Sequence, residues 1–258
     1  MVTATLTEVA AFLKPGITTL SIDKMAETFI RDNGGVPSFK GYGPKESPFP
    51  GSLCISVNEV VVHGFPSNYE LKDGDLISVD CGVYMNGYHG DHAYTFAVGN
   101  VAPELLKLMR ITKNALARAI QEAHEGNRVG DISYAVEYLT NKEHGYGVVR
   151  ELVGHGVGKK LHEDPQVPNY GKRSDGKRLK EGMVLAIEPM INLGTRNVYT
   201  MEDGWTIVTA DGKQSVHYEH TTAVGKNKGE SLSSFAPIEA AELKNKELNT
   251  GHLQQEVA

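Results

Sequence analysis

Residues 78–96 read "SVDCGVYMNGYHGDHAYTF". Asn86-Gly87 separates two runs rich in strand-forming residues, and Asn-Gly in that setting is the strongest short-range signal for a two-residue hairpin loop. With Asn86 and Gly87 as the loop, Asp91 falls opposite Gly82. Side chains alternate faces along a strand, so Asp80, Gly82 and Asp91 share one face. Asp80 and Asp91 become diagonal neighbours, with no side chain at Gly82 to keep them apart. Two carboxylates at that separation repel, and one takes up a proton unless a cation sits between them.

Working outward, the chain repeats itself. "GITTLSIDKMAETFIRDNGG" (16–35) predicts a helix with Ile22, Met25, Ala26, Phe29 and Ile30 on one face, Ser21 as its N-cap and Gly34-Gly35 as its stop. "GNRVGDISYAVEYLTNKEHG" (126–145) repeats the pattern, with Ile132, Ala135, Val136 and Leu139 as the stripe and Asp131 as the cap. "LKDGDLISVD" (71–80) aligns with "LKEGMVLAIE" (179–188), which places Glu188 where Asp80 stands. "DHAYTFAV" (91–98) aligns with "EHTTAV" (219–224), which places Glu219 where Asp91 stands. Two related halves emerge, each a helix followed by strands, each supplying two carboxylates. "PELLKLMRITKNALARAIQEAHEG" (103–126) connects them as a long amphipathic helix opened by Pro103. "EDGWTIVTADGKQSVHYEHTTAV" (202–224) reads as a further hairpin turning at Asp211-Gly212. Residues 226–258 are polar, with a weakly amphipathic helix over 240–248, and read as a peripheral tail.

A chain of 258 residues with 40% hydrophobic and 22% charged residues has the makings of an ordinary globular core. A net charge of −6 argues against general nucleic-acid binding. Two cysteines, Cys54 and Cys81, without metal or redox spacing point to a reducing, cytoplasmic setting. No apolar run approaches a membrane span, and no secretory-signal pattern follows Met1.

A lone strand aspartate is ordinarily a turn-proximal carboxylate bonded to backbone. Four acids in apolar, strand-like segments at duplicated positions are a different matter, because burying them is costly without compensation. Asp80, Asp91, Glu188 and Glu219 therefore imply a shared centre with more than one positive charge. "GHGVGKKLHEDP" (154–165) adds His155 between glycines, where backbone can approach a ligand closely. Four carboxylates and one imidazole suit Mn²⁺, Fe²⁺ or Co²⁺, admit Zn²⁺, and argue against a thiolate-closed structural zinc site. Two ions about 3.5–4 Å apart would balance the charge and lower the pKa of a shared water, which is hydrolytic machinery. "HGFP" (63–66) and "HEDP" (162–165) share an H-x-x-P pattern, so His63 and His162 are candidates to donate hydrogen bonds to a developing oxyanion. Loop histidines before a proline turn explain that spacing equally well.

These segments, with "CISVNEVVVHG" and "EGMVLAIEPM", closely resemble the type I methionine aminopeptidases from about Leu6 to Gly225. The resemblance implies an α/β (α+β) duplicated pita-bread fold, in which two pseudo-symmetric halves enclose a central antiparallel sheet flanked by helices. It implies one catalytic domain over 5–227, with halves of about 5–100 and 103–227, followed by the polar tail 228–258. The implied metal ligands are Asp80, Asp91, His155, Glu188 and Glu219. Asp91 and Glu219 bridge two divalent ions (Mn, Fe(II), Co or Zn), Asp80 completes one site, and His155 with Glu188 completes the other. A metal-bridged hydroxide attacks the scissile carbonyl, Glu188 doubles as general base, His162 contacts the scissile carbonyl or substrate backbone, and His63 binds near the scissile amide. The S1 pocket falls to Cys54, Phe49, Leu161 and Trp205. Phe49 stands where a tyrosine is common and Leu161 where a phenylalanine is.

The implied activity is removal of the initiator methionine from nascent chains whose second residue is small, by a cytoplasmic monomer. Three other readings stand beside it. An Xaa-Pro aminopeptidase or prolidase shares the fold but carries a sizeable extra N-terminal domain, for which this chain has no room. A non-catalytic pita-bread binding protein would have lost the ligands kept here. A transient ribosome contact, through Lys159, Lys160, Lys172, Arg173, Lys177, Arg178 and Lys180, would supplement the enzyme; a solvated loop explains the same run. The usual first helix of the family is longer than "MVTATLTEVAAFLKPG" allows, and both the Cys-rich zinc extension and the type II helical insertion are expected to be absent.

Overall fold

In the computed structural model, which describes residues 1–253, the hairpin forms as the pairing rule requires. Strand Leu76–Met85 pairs antiparallel with Tyr88–Ala97, with Gly82 opposite Asp91 and Asp80 opposite Ala93. Asn86 and Gly87 carry φ of 53° and 88°, the left-handed pair of a mirror-image turn that matches the twist of the flanking strands. Strand Cys54–Val57 adds to the free edge of Leu76–Met85, placing Cys54 opposite Asp80. A Cβ at Gly82 would lie 2.6 Å from the ring of Phe39, so the gap that lets the two aspartates face each other is also filled by an aromatic from above.

The second half builds a sheet around strand Val184–Ile187, which lies between Gly154–Gly156 and His220–Ala223. His155 pairs with Ala186, and His220 with Ile187. Glu188 and Glu219 each sit one residue outside their strands, at the end where Gly154–Gly156 presents His155. The two halves join along 91–95 and 217–221. Glu219 N donates to Ala93 O at 3.0 Å. Thr221 Oγ1 accepts from Asp91 N at 2.9 Å and donates to Asp91 O at 2.7 Å. Thr95 Oγ1 does the same for His217, accepting from its N at 3.0 Å and donating to its O at 2.8 Å. A threonine from each half thus supplies the bonds a continuous ladder would have made, and the duplicated acids meet across that seam.

Helices cover the outer faces. Helix α1 (Val2–Phe12) and α2 (Thr19–Asp32) serve the first half; α3 (Pro103–Gln121) and α4 (Val129–Glu137) follow it. The stripe expected on α3 is the buried one, from Leu105 through Leu108, Leu116 and Ile120. Two caps differ from expectation. Thr18, not Ser21, caps α2, its side chain accepting from Ser21 N at 3.2 Å. Asp131 lies inside α4 at its third position, where its carboxylate accepts from Arg128 N at 2.9 Å and Ser174 N at 3.0 Å. In both cases the polar residue recognised from sequence is in the capping turn, displaced by one partner's position.

The hairpin expected over 202–224 is not one. Gly212 turns with φ 69°, but Ile207–Thr209 pairs with Val198–Thr200 and Val60–Val62, whereas Ser215–His217 pairs with Met190–Asn192. Ile207–Thr209 thus pairs backward with its preceding strand and with the distant Val60–Val62, and Ser215–His217 joins a different sheet. The polar tail also departs from the peripheral reading as far as it is described. Glu230–Ser231 pairs with His220–Ala223, helix α5 (Ala236–Glu242, earlier than the expected 240–248) packs on α1, and Ile238, Glu242, Leu248 and His252 are buried. Residues 254–258 of that expectation lie outside the described residues. Among the described residues no helix is long and apolar enough to cross a membrane.

Candidate active site

The five candidate ligands converge. Asp91 is 3% exposed, Glu219 1% and His155 8%, and ligand atoms of these three lie within 4.8 Å of one another. His155 Nε2 is 3.5 Å from Glu188 Oε1 and 3.9 Å from Asp91 Oδ2. Its other nitrogen, Nδ1, is 2.8 Å from Gly156 O, which can only accept. Nδ1 therefore carries the proton and Nε2 turns its lone pair to the carboxylates, the tautomer a metal requires. Asp80 is half-buried on the same face of the hairpin as Asp91, as expected from the alternation.

The acids are far from their ordinary ionisation. Burial pushes the Asp91 carboxyl up to about 7. Burial first, and the neighbouring acids second, hold Asp80, Glu188 and Glu219 well above the usual carboxylate range. Burial also lowers His155 to about 4, so the imidazole is neutral at pH 7. Asp80 Oδ1, Asp91 Oδ1 and Glu219 Oε1 are buried without a hydrogen-bond partner. Orphaned oxygens of this kind are normally paired with something. Oxygen-rich and closed by one neutral imidazole, the group fits hard-to-borderline divalent cations, whose charge would return every acid to its ionised form.

Beside the acids lies a cavity of about 170 Å³. That is below the roughly 300–1,000 Å³ of pockets that enclose a whole small molecule, and suits one side chain. Phe39, Phe49, Cys54 and Trp205 form its apolar wall, and the five candidate ligands line its floor. The Trp205 indole N–H donates to Ser47 O at 2.9 Å, and Phe49 meets the indole edge-on at 5.4 Å. Leu161 is buried in the same apolar cluster but does not line the cavity. His63, half-buried with a left-handed φ of 58°, and His162, exposed at the mouth, both do. Burial lowers both imidazoles, His63 to about 4.

Three residues escaped the sequence reading. Phe39 walls the cavity, and the Tyr42 hydroxyl sits 2.7 Å from His162 Nδ1 across 120 residues of chain. No local pattern announces either. His217, 2% exposed with Nε2 3.6 Å from Glu188 Oε2, had a usable signal. It stands two residues before Glu219, at the end of strand Ser215–His217, and that closeness to a candidate ligand is the signal. The seven basic residues of the Lys159–Lys180 stretch are all exposed, and Arg173 lies 4.6 Å above the Tyr134 ring.

With this geometry in place, comparison with known proteins is direct. The profile of metallopeptidase family M24 matches residues 1–226. A methionine aminopeptidase of Clostridium perfringens is 54% identical over 222 residues, covering 86% of this chain and 87% of the relative. Methionine aminopeptidase 1 of Bacillus subtilis is 52% identical over 218 residues, 84% of this chain and 86% of the relative. The crystal structure of a methionine aminopeptidase from Rickettsia prowazekii superposes with a TM-score of 0.87 at 36% identity, covering 90% of this chain and 92% of that one.

Proposed function

The chain belongs to metallopeptidase family M24, and from that premise we propose that it is a type I methionine aminopeptidase. It is a metal-dependent aminopeptidase with the duplicated pita-bread fold, and it removes the N-terminal methionine of nascent polypeptides whose second residue is small. One observation carries the reading at the level of residues. Three buried carboxylate oxygens without partners and the bare Nε2 of His155 converge at the floor of a cavity sized for one apolar side chain.

Two divalent ions, of Mn, Fe(II), Co or Zn, would be held by Asp80, Asp91, His155, Glu188 and Glu219, with Asp91 and Glu219 at the centre of the group. When bound, such ions supply Lewis acidity to the scissile carbonyl and make water nucleophilic at neutral pH. The protein's own groups do the rest. The apolar wall of Phe39, Phe49, Cys54 and Trp205 takes the methionine side chain and excludes water around it. Glu188 takes a proton from the attacking water and passes it to the leaving amine. With the Tyr42 hydroxyl donating to Nδ1, His162 keeps its proton on Nε2 and can donate to the scissile carbonyl. His63, kept neutral by burial, offers an N–H near the scissile amide. The enzyme on this reading is a cytoplasmic monomer with a transient ribosome contact through its exposed basic stretch.

The test is hydrolysis of Met-Ala-Ser and Ala-Pro-Ala by chelator-stripped protein, before and after adding Mn²⁺, Fe²⁺ or Co²⁺. Metal-dependent methionine release from the first peptide alone is expected. Cleavage of only the proline peptide would transfer the chain to the prolidase-like reading, and silence on both with metal bound would make it a binding protein.

A further inference from the structure

Residues beyond 226 lie outside the family match, yet they pack against the back of the metal-site seam. Asp91 and Glu219 are each followed by histidine, and alternation sends His92 and His220 to the face opposite the carboxylates. There the two rings stack, centroids 4.8 Å apart and 19° from parallel. Phe235 covers both, stacked on His92 at 5.2 Å and tilted by 32° against His220 at 4.0 Å.

The hydrogen bonds run in one direction. Glu219 O, 2.6 Å from His92 Nδ1, can only accept, so that nitrogen carries a proton. The same Nδ1 is 3.2 Å from Ser233 Oγ, which then accepts from it and donates its own proton to His220 Nδ1 at 2.7 Å. Ser233 is 5% exposed, and both histidines are buried. Ser233 thus sets the tautomer of His220 and links it to His92, whose own tautomer is set by Glu219 O, and each histidine directly follows an acid at the centre of the site.

The segment is anchored independently of that contact. Tyr94 Oη donates to Glu242 Oε2 at 2.8 Å and lies 3.3 Å from His252 Nε2. Asn245 Nδ2 donates to Ala10 O at 2.8 Å and Leu13 O at 2.7 Å, closing the end of α1.

We propose that the C-terminal segment from Glu230 to Leu253 is a positioning element for the active site, with Ser233 and Phe235 setting the orientation of Asp91 and Glu219 through His92 and His220. The proposal rests on the reading of Asp91 and Glu219 as metal ligands. Groups hydrogen-bonded directly to metal ligands are worth about 10–100-fold in metal affinity, and Ser233, one contact further out, is set at the lower end of that range.

The experiment is calorimetric titration of Mn²⁺ into chelator-stripped full chain for the wild type and for Ser233→Ala, Ser233→Thr and Asn245→Ala, with circular dichroism to verify folding. Ser233→Ala is expected to weaken Mn²⁺ binding about tenfold, Ser233→Thr to restore it by returning the hydroxyl, and Asn245→Ala to lower the melting temperature without moving affinity. Unchanged affinity in folded Ser233→Ala, or equal weakening in Asn245→Ala, would reduce the segment to packing and overturn the proposal while leaving the proposed activity intact. A wild type that takes up no Mn²⁺ would overturn the ligand reading, and this proposal with it.

Discussion

Replacing Asp91 by asparagine should kill the enzyme and strengthen the metal-free fold. In the folded chain burial raises the Asp91 carboxyl from 3.8 to about 7. Its folded value lies above its unfolded one, so stability is lost as pH rises from about 4 through 7 and the loss is complete above that. A difference of roughly 3 units at about 1.36 kcal/mol per unit amounts to about 4 kcal/mol at pH 7.5. Near pH 5 only about 1.5 kcal/mol of it has accrued. Asparagine mimics the protonated acid in shape, and its amide can donate to Asp80, its diagonal neighbour on the same face of the hairpin. Removing the Asp91 charge also relieves Asp80, Glu188 and Glu219, each of which it pushes up, so their contribution acts in the same direction. At about 2–4 °C per kcal/mol, chelated Asp91→Asn should melt about 8–16 °C above chelated wild type at pH 7.5 and only about 3–6 °C above it at pH 5. Thermal melts in the presence of chelator measure this directly. With Mn²⁺ the order should reverse, because the wild type gains a bound-ion term that the variant lacks. A chelated variant no more stable than wild type at pH 7.5, or a gap that ignores pH, would refute the account of why the acids need a cation.

Other substitutions probe separate parts of the site. Glu219→Gln should abolish methionine release like Asp91→Asn, and wild-type-like turnover by either would sink the two-ion mechanism. Glu188→Gln should lower both Mn²⁺ content, read by elemental analysis, and kcat; full metal content would leave Glu188 a proton carrier alone. Tyr42→Phe removes the hydroxyl from His162 Nδ1 and should cost up to about tenfold in kcat/KM, as one hydrogen bond of about 1 kcal/mol implies. An unchanged pH–rate profile in that variant would show that Tyr42 does not hold the imidazole. Gly82→Ala forces a methyl against Phe39, 2.6 Å away; denaturant melts should show a loss of about 1–3 kcal/mol, with KM for methionyl peptides raised because Phe39 walls the pocket.

The parts legible in the sequence share a property: each is written in neighbouring residues. Asn86-Gly87 and a period of two placed Asp91 opposite Gly82, and internal repetition paired Glu188 with Asp80 and Glu219 with Asp91. The apolar stripe of α3 followed from its 3.6-residue period. Errors arose where local rules had more than one solution. Asp211-Gly212 does turn, but its arms pair elsewhere: Ile207–Thr209 with the preceding strand Val198–Thr200 and the distant Val60–Val62, and Ser215–His217 with Met190–Asn192. The tail looked peripheral because few of its residues are apolar, whereas besides Ile238 and Leu248 it buries Ser233, Glu242 and His252, polar groups that only specific partners can make tolerable.

By itself the sequence determined the register of the central hairpin, the duplication, and the acids and imidazole that must be gathered, since strand alternation and turn chemistry act within a few residues. Only the tertiary structure decided what surrounds them. Tyr42 meets His162, Trp205 closes over Ser47, and Ser233 reaches His92 across 141 residues. Such contacts depend on how finished elements pack. Packing is set by shape and by the satisfaction of buried polar groups throughout the chain, and no short stretch of sequence records it.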